Sequence, residues 1–320
     1  MSESEFSLIE KYFSLPAQKF THSHTVLGIG DDAAVMSVPA GHQLVVTMDT
    51  LIAGRHFPLQ TSPFDIAYKS LAVNVSDLVA MAATPAFFLL SITLPAADEH
   101  FLAEFSAGLF AAAHEFSIVL VGGDTCQGSL SISIQASGLV AEHAYITRSG
   151  AGIGDRIFVS GPLGAAALGL ASVQNRVQLT PEQQQFCINA LNRPRPRLDM
   201  IDLLRDFASA AIDLSDGLLG DLGHILTKSR CGALLDKQKI PAYQALSLHH
   251  CLDYALSGGD DYQILFSVPV DKLEAMVSAA AEQGLELFDI GEITQAGFFM
   301  QADNATIDLS NSRGFDHFAA

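Results

Sequence analysis

"HQLVVTMDT", residues 42–50, alternates with a period of two, which sets Val45, Thr47 and Asp49 on one face of a strand and Met48 on the other. Thr47 and Asp49 can therefore address one ligand. The rhythm then changes. From Pro63 to about Ala83, the spacing of Ile66, Ser70, Asn74 and Asp77 fits one face of a helix, on which Asn74 and Asp77 are neighbours. The stretch from Leu71 to Ala97 is the most membrane-like in the chain, but Asn74, Ser76, Asp77 and two prolines interrupt it. It reads as a buried helix followed by a strand, not as a span.

Working outward, acids recur at the edges of apolar segments: "LGIGDDAAV" from Leu27, "TMDTLIAGRHF" from Thr47, "NVSDLVAM" from Asn74, "VGGDT" from Val121, "AIDLSDGL" from Ala211 and "SGGDDY" from Ser257. Element ends meet at such places, and sites are built there. A second helix is predicted over about Asp98–Phe116, followed by a buried strand "SIVLV" that ends at Gly122, Gly123 and Asp124, where paired glycines let a ligand approach the backbone. The glycine-rich turn "RSGAGIGD", 148–155, precedes a fresh strand "RIFVSG", which places a domain boundary near residue 150, with domains at 1–150 and 151–320. "GPLGAAALGL" begins a helix. "QNRVQLTPEQQQ" and "NRPRPRLD" read as surface linkers or turns, and a helix is predicted to start around Ser215, with Ser215 as its N-cap and Asp213 and Asp216 flanking it.

Composition narrows the function. At 320 residues and 49% hydrophobic content the chain can bury a substantial core over about two domains. A net charge of -18 argues against a nucleic-acid backbone or an anionic membrane as direct partner. An anionic ligand would need an intervening cation. Cys126, Cys187, Cys231 and Cys251 form no C-x-x-C pair, so neither a zinc site nor a disulfide framework is signalled, and a reducing cytoplasm is the simplest setting. The opening "MSESEFSLIEKYFS" has no secretory-signal pattern.

Several aspartates converging on one site repel one another, and a hard cation resolves the conflict. Magnesium takes carboxylate oxygens, water and the oxygens of phosphorylated substrates. No G-x-x-x-x-G-K-[ST] loop, protein-kinase signature or EF-hand loop is present, and "GPLGAAALG" has the wrong spacing for a dinucleotide fingerprint, so its glycines read as helix-packing positions.

The ordered set "EFSLIEKYF", "GIGDDAAV", "DTLIAGRHF", "AYKSLAVNVSDLVAM", "VGGDT", "TRSGA", "AIDLSDGL", "SGGDDY" and "GFDHF" resembles the thiamine-monophosphate kinase family, within the PurM-like superfamily that includes aminoimidazole ribonucleotide synthetase. The resemblance covers essentially the whole chain. It implies an α/β fold with mixed sheets in two domains, an N-terminal sheet domain that pairs with a second subunit as a homodimer and a C-terminal α/β domain, with the active site in the cleft between them. It also implies transfer of phosphate from ATP to thiamine phosphate, giving thiamine diphosphate, with several magnesium ions. Carried over onto matching positions, Asp32, Thr47, Asp49, Asp77, Asp124, Asp213 and Asp216 correspond to metal-binding residues. Gly123 with Asp124, Arg148 and Ser215 match nucleotide contacts, and His56, Asp260 and Phe315 match the thiamine-phosphate side.

Three positions depart from the family pattern. Met48 stands where a hydroxyl residue is common, Asp260 replaces a glutamate and so reaches one methylene less far, and Ala107 stands where some members carry an aromatic near the adenine. Because the acceptor is a phosphate monoester already largely ionised at neutral pH, neither a general base nor a covalent nucleophile is expected. Rival readings are another PurM-like ATP-dependent enzyme and, from a different class, a non-catalytic acidic metal-binding protein. A selenophosphate synthetase would carry an N-terminal cysteine, whereas no cysteine precedes Cys126.

Overall fold

The computed structural model describes residues 5–20, 22–245, 248–303 and 305–310, with 5–6 and 248–250 described by their backbone alone. The chain forms two compact units, Met1–Leu78 with Ala83–His143, and Val79–Ala82 with Ala144–Ala320.

The first unit opens with α1 (Glu5–Ile9), a π-helical turn, α2 (Leu15–Ala17) and a small hairpin, β1 (Thr25–Leu27) and β2 (Val35–Met36). Then follow β3 (His42–Ile52), α3 (Pro63–Ala80), β4 (Thr84–Leu94), α4 (Glu99–Glu115), β5 (Val119–Gln127) and β6 (Ser131–Ala141). The last four strands form one sheet in the order β3-β6-β4-β5, antiparallel except for the β4–β5 pair. Phe88, Leu90, Ile92, Ile132 and Ile134 make its buried face. α3 is enclosed from Ile66 to Ala80 except at Asp77, and α4 starts where Asp98 accepts from the N–H groups of His100 and Phe101. The helices approach closely because residue 108 is glycine: a Cβ there would strike the Phe64 backbone. On the opposite face, Phe20, Ala34 and Met36 cover Phe87, Val119, Val121 and Leu139. Leu44, Val46, Met48, Ile52 and Leu89 stay exposed.

The second unit contains β7 (Arg156–Val159), α5 (Ala165–Val173), α6 (Pro181–Asn192), α7 (Ile201–Phe207), β8 (Ala210–Asp213), α8 (Leu218–Ser229), β9 (Gly232–Asp236), α9 (Leu248–Ser257), β10 (Ile264–Val268), α10 (Leu273–Glu282), β11 (Phe288–Thr294), β12 (Phe298–Ala302) and β13 (Ala305–Asp308). Its strands form a mixed seven-stranded sheet, β13-β12-β9-β11-β7-β10-β8, with β9–β12 the parallel pair. Ile157, Val159, Ile212, Leu222, Ile225, Leu235 and Leu265 lie in its core.

Three expectations are corrected. β5 does not end at Gly122 but continues through both glycines to Gln127, and Gly123 makes room for the neighbouring strand, since a Cβ there would run into the Leu90 carbonyl. "TPEQQQ" is not a linker: Thr180 and Gln183 form a reciprocal capping box and Pro181 sits at the first helical position, so α6 forms without a strongly apolar face. Ser215 is not an N-cap, because α8 starts at Leu218 behind Gly217 at φ 100.

Candidate functional site

In the first unit, the polar row read from α3 is a chain of hydrogen bonds. Ser70 Oγ donates to the Ile66 carbonyl at 2.7 Å, Asn74 Nδ2 to the Ser70 carbonyl at 3.0 Å, and Asn74 Oδ1 accepts from the Asp49 backbone N–H at 3.1 Å. One turn on, Thr47 Oγ1 donates to Asp77 Oδ2 at 2.5 Å. The strand alternation and the helical spacing thus bring Thr47, Asp49, Asn74 and Asp77 together, and Asp77 is the partly exposed residue in a run otherwise buried from Ile66 to Ala80.

His56 follows β3 in a tight loop in which its Nδ1 accepts from the Ile52 N–H at 2.9 Å. In the neutral ring that places the proton on Nε2. Its carbonyl accepts from the buried Lys69 ammonium at 3.4 Å. Lys69 escapes a search for acids, although its position within an apolar helix was a signal. Asp32 is exposed in the glycine turn after β1, where its N–H donates to Asp31 Oδ1 at 2.9 Å, so Asp31 serves the turn. Register puts Gly123 in the row of Asp49, Ile134 and Leu90, and Asp124 in the adjacent row with Thr50, Ser133 and Ser91. Asp124 accepts from Cys126 Sγ at 2.9 Å.

In the second unit two loops are laced together. The Asp260 N–H donates to the Ser215 carbonyl at 3.0 Å and the Tyr262 N–H to the Leu214 carbonyl at 2.8 Å. Gly217 and Gly259 allow the approach, for a Cβ on either would collide with the other loop's backbone. Asp213, Ser215, Asp216 and Asp260 therefore share one bonded pair of loops, with Asp213 buried at the end of β8. Beneath them lies Asp221, which the motif reading missed. It is 2% exposed, accepts from Asp216 N–H at 3.0 Å and from Ser215 N–H, and so ties the loop ahead of α8 to the first turn of that helix. Burial pushes its carboxyl up to about 7, opposed by those backbone donors and by Arg148. The apolar spacing around "GLLGD" was the signal for a buried acid. Arg148 itself is exposed, and its carbonyl accepts from Ser229 Oγ at 3.2 Å. Phe315 lies outside the described residues.

The donors in each unit are carboxylate and hydroxyl oxygens, which suit a hard cation such as magnesium. Among the described residues, no group of three or more His, Cys, Asp or Glu side chains is gathered closely enough to hold a metal by itself. Oxygens from a bound phosphate or water would complete such a shell. No helix among the described residues is long and apolar enough to cross a membrane.

The models for the AIR synthase related protein N-terminal and C-terminal domains match residues 30–140 and 152–301. Thiamine-monophosphate kinase of Escherichia coli (strain K12) is 42% identical, over 100% of this chain and 99% of its own. The crystal structure of thiamine-monophosphate kinase from Stenotrophomonas maltophilia K279a superposes with a TM-score of 0.84 at 41% identity, covering 95% of this chain and 99% of that one. AaThiL, solved complexed with AMPPCP and TMP, superposes with a TM-score of 0.76 at 28% identity, covering 99% of both chains. With both domain models in order and a relative alike over its full length, the chain belongs to the thiamine-monophosphate kinases, among the AIR synthase related proteins.

Proposed function

We propose that this protein transfers the terminal phosphoryl group of ATP to thiamine phosphate, giving thiamine diphosphate and ADP, the last step in making thiamine diphosphate. The observation that carries this reading is the full-length correspondence with the Escherichia coli kinase at 42% identity.

The acceptor's phosphate has a second pKa of about 6, so its attacking oxygen is largely ionised at neutral pH and can displace ADP directly, in line. The obstacle is the meeting of two anions on a chain of net charge -18. Arg148 presents a planar fork of donors to phosphate oxygens. Ser215 and the Gly123–Asp124 segment address the nucleotide, while His56 offers its Nε2 proton, and Asp260 and Phe315 address thiamine phosphate. Asp32, Asp49 and Asp77, with Thr47, and Asp124, Asp213 and Asp216 would hold magnesium ions. Magnesium, when bound, supplies the positive charge that offsets the repulsion between phosphates.

The protein works as a homodimer paired through the first unit's sheet, a reading supported by the exposed apolar row Leu44, Val46, Met48, Ile52 and Leu89. A cytoplasmic setting agrees with ATP as co-substrate and with four cysteines that form no disulfide. The test is ADP release with magnesium and a panel of acceptors. Thiamine phosphate is expected to support release and thiamine not appreciably, because the alcohol lacks an ionised attacking oxygen. Equal turnover of both would remove thiamine phosphate as the acceptor.

A further inference from the structure

The start of α5 has the makings of an anion seat: a glycine-rich turn, backbone N–H groups without helical partners and the positive end of the helix dipole. The protein fills it with its own carboxyl group, that of Asp261, which burial pushes up to about 8 against the opposing backbone donors. The Gly164 N–H donates to both carboxylate oxygens of Asp261, at 2.9 and 2.8 Å, and the Ala166 N–H adds a further bond. Gly164 takes φ 90, and a Cβ there would press on the backbone of Tyr254 and Ala255, so the turn tolerates little else.

The residues on either side of Asp261 have unusual backbones. Asp260 has φ 69 and Tyr262 φ 49, a left-handed conformation rare for an aromatic residue. Such conformations persist where surrounding bonds over-determine them. Here Asp261 is held by α5, and Gln263 accepts from Ser160 Oγ at 2.9 Å and from Arg197 Nη1 at 3.1 Å. The Asp260 and Tyr262 N–H groups are fixed on the neighbouring loop. Between these anchors, the Tyr262 hydroxyl donates to Asp260 Oδ1 at 3.3 Å.

We propose that Asp261 is a positioning residue for the phosphorylated acceptor: by filling the anion seat of α5 it holds the left-handed pair that sets the Asp260 carboxylate, with the Tyr262 hydroxyl on it, where the acceptor is bound. This rests on the reading of Asp260 as an acceptor contact. It accounts for "GPLG", whose turn serves an internal carboxyl group. Because Asp221 holds the Ser215 N–H independently, loss of Asp261 is expected to disturb residues 260–262 before the nucleotide side.

The test is steady-state kinetics in both substrates, with thermal melting, for Asp261→Asn, Asp261→Ala, Tyr262→Phe and Asp260→Ala. The Asp261 variants are expected to raise the KM for thiamine phosphate about tenfold or more, the scale of a lost hydrogen bond to a charged group. The KM for ATP should stay near that of the parent. Formate, a carboxylate small enough for the vacated seat, should lower the acceptor KM of Asp261→Ala and leave the parent unchanged. Tyr262→Phe should melt like the parent with a raised acceptor KM, and it decides the matter if the Asp261 variants do not fold. An equal rise in both KM values, no response to formate, or a parental acceptor KM in Tyr262→Phe would overturn the proposal. If Asp260→Ala raises the acceptor KM while the Asp261 variants do not, the proposal alone falls. If Asp260→Ala leaves it unchanged, the reading of Asp260 falls and takes the proposal with it.

Discussion

Asp77 stands in a helix that has no structural need for a charge, yet its carboxylate receives the Thr47 hydroxyl at 2.5 Å. If it serves a cation, Asp77→Asn keeps the size and loses the affinity. Turnover is then expected to fall at least ~100-fold, about 2.7 kcal/mol of transition-state stabilisation, while the metal-free protein melts at the same or a higher temperature. Melting without magnesium and ADP release across a magnesium titration check the pair; near-normal turnover at ordinary magnesium would remove Asp77 from the metal site. Asp221 makes a different expectation. Its carboxyl is raised by burial from 3.8 to about 7, so between those values the folded chain keeps a proton that the unfolded chain has released. Stability should therefore fall as pH rises across that window, and Asp221→Asn should flatten the fall. Thermal melts over pH in a chelating buffer measure it, and an unchanged slope in the variant would contradict the assignment.

At the level of elements, legibility followed the strength of local signals. β3 and α3 are readable because the rows Val45–Thr47–Asp49 and Ile66–Ser70–Asn74–Asp77 keep their periods inside apolar surroundings, and α4 because Asp98 caps it. α6 is hidden from apolar periodicity because its run is rich in glutamine, and its local signal is the Thr180–Gln183 box. Thr180→Ala is expected to cost about 1 kcal/mol of stability and leave turnover intact, as melting and ADP release will show. α8 starts later than Ser215 for a local reason: Asp221, in its first turn, accepts from the Ser215 and Asp216 N–H groups and holds both residues in the loop ahead of Gly217. The aspartates proposed for the site are members of sequence motifs. Asn74, Lys69 and Asp261 are legible as residues but not as partners, because Asn74 meets the Asp49 N–H, Lys69 the His56 carbonyl and Asp261 the Gly164 N–H, each from another element of the fold. Gly123 belongs to both classes: its place in "VGGDT" was visible, but its need to clear the Leu90 carbonyl was not.

For the whole molecule, the exposed row on β3 is where pairing should act. Leu44→Lys combined with Val46→Lys is expected to yield a monomer by light scattering at micromolar concentration from a dimeric parent, whereas a parent already monomeric would refute pairing through this sheet. The two units divide the proposed work between them, each presenting acids on loops and strand ends that its own core holds in place. Their common product is phosphoryl transfer to a phosphate. The most direct measurement follows label from ATP carrying radioactive phosphorus at its terminal position. With thiamine phosphate and magnesium, the label should appear in thiamine diphosphate in equal amount to the ADP released, and none should remain on the protein when the acceptor is omitted. Label that ends in inorganic phosphate, or stays bound to the protein as a covalent phosphate, would contradict direct transfer to thiamine phosphate.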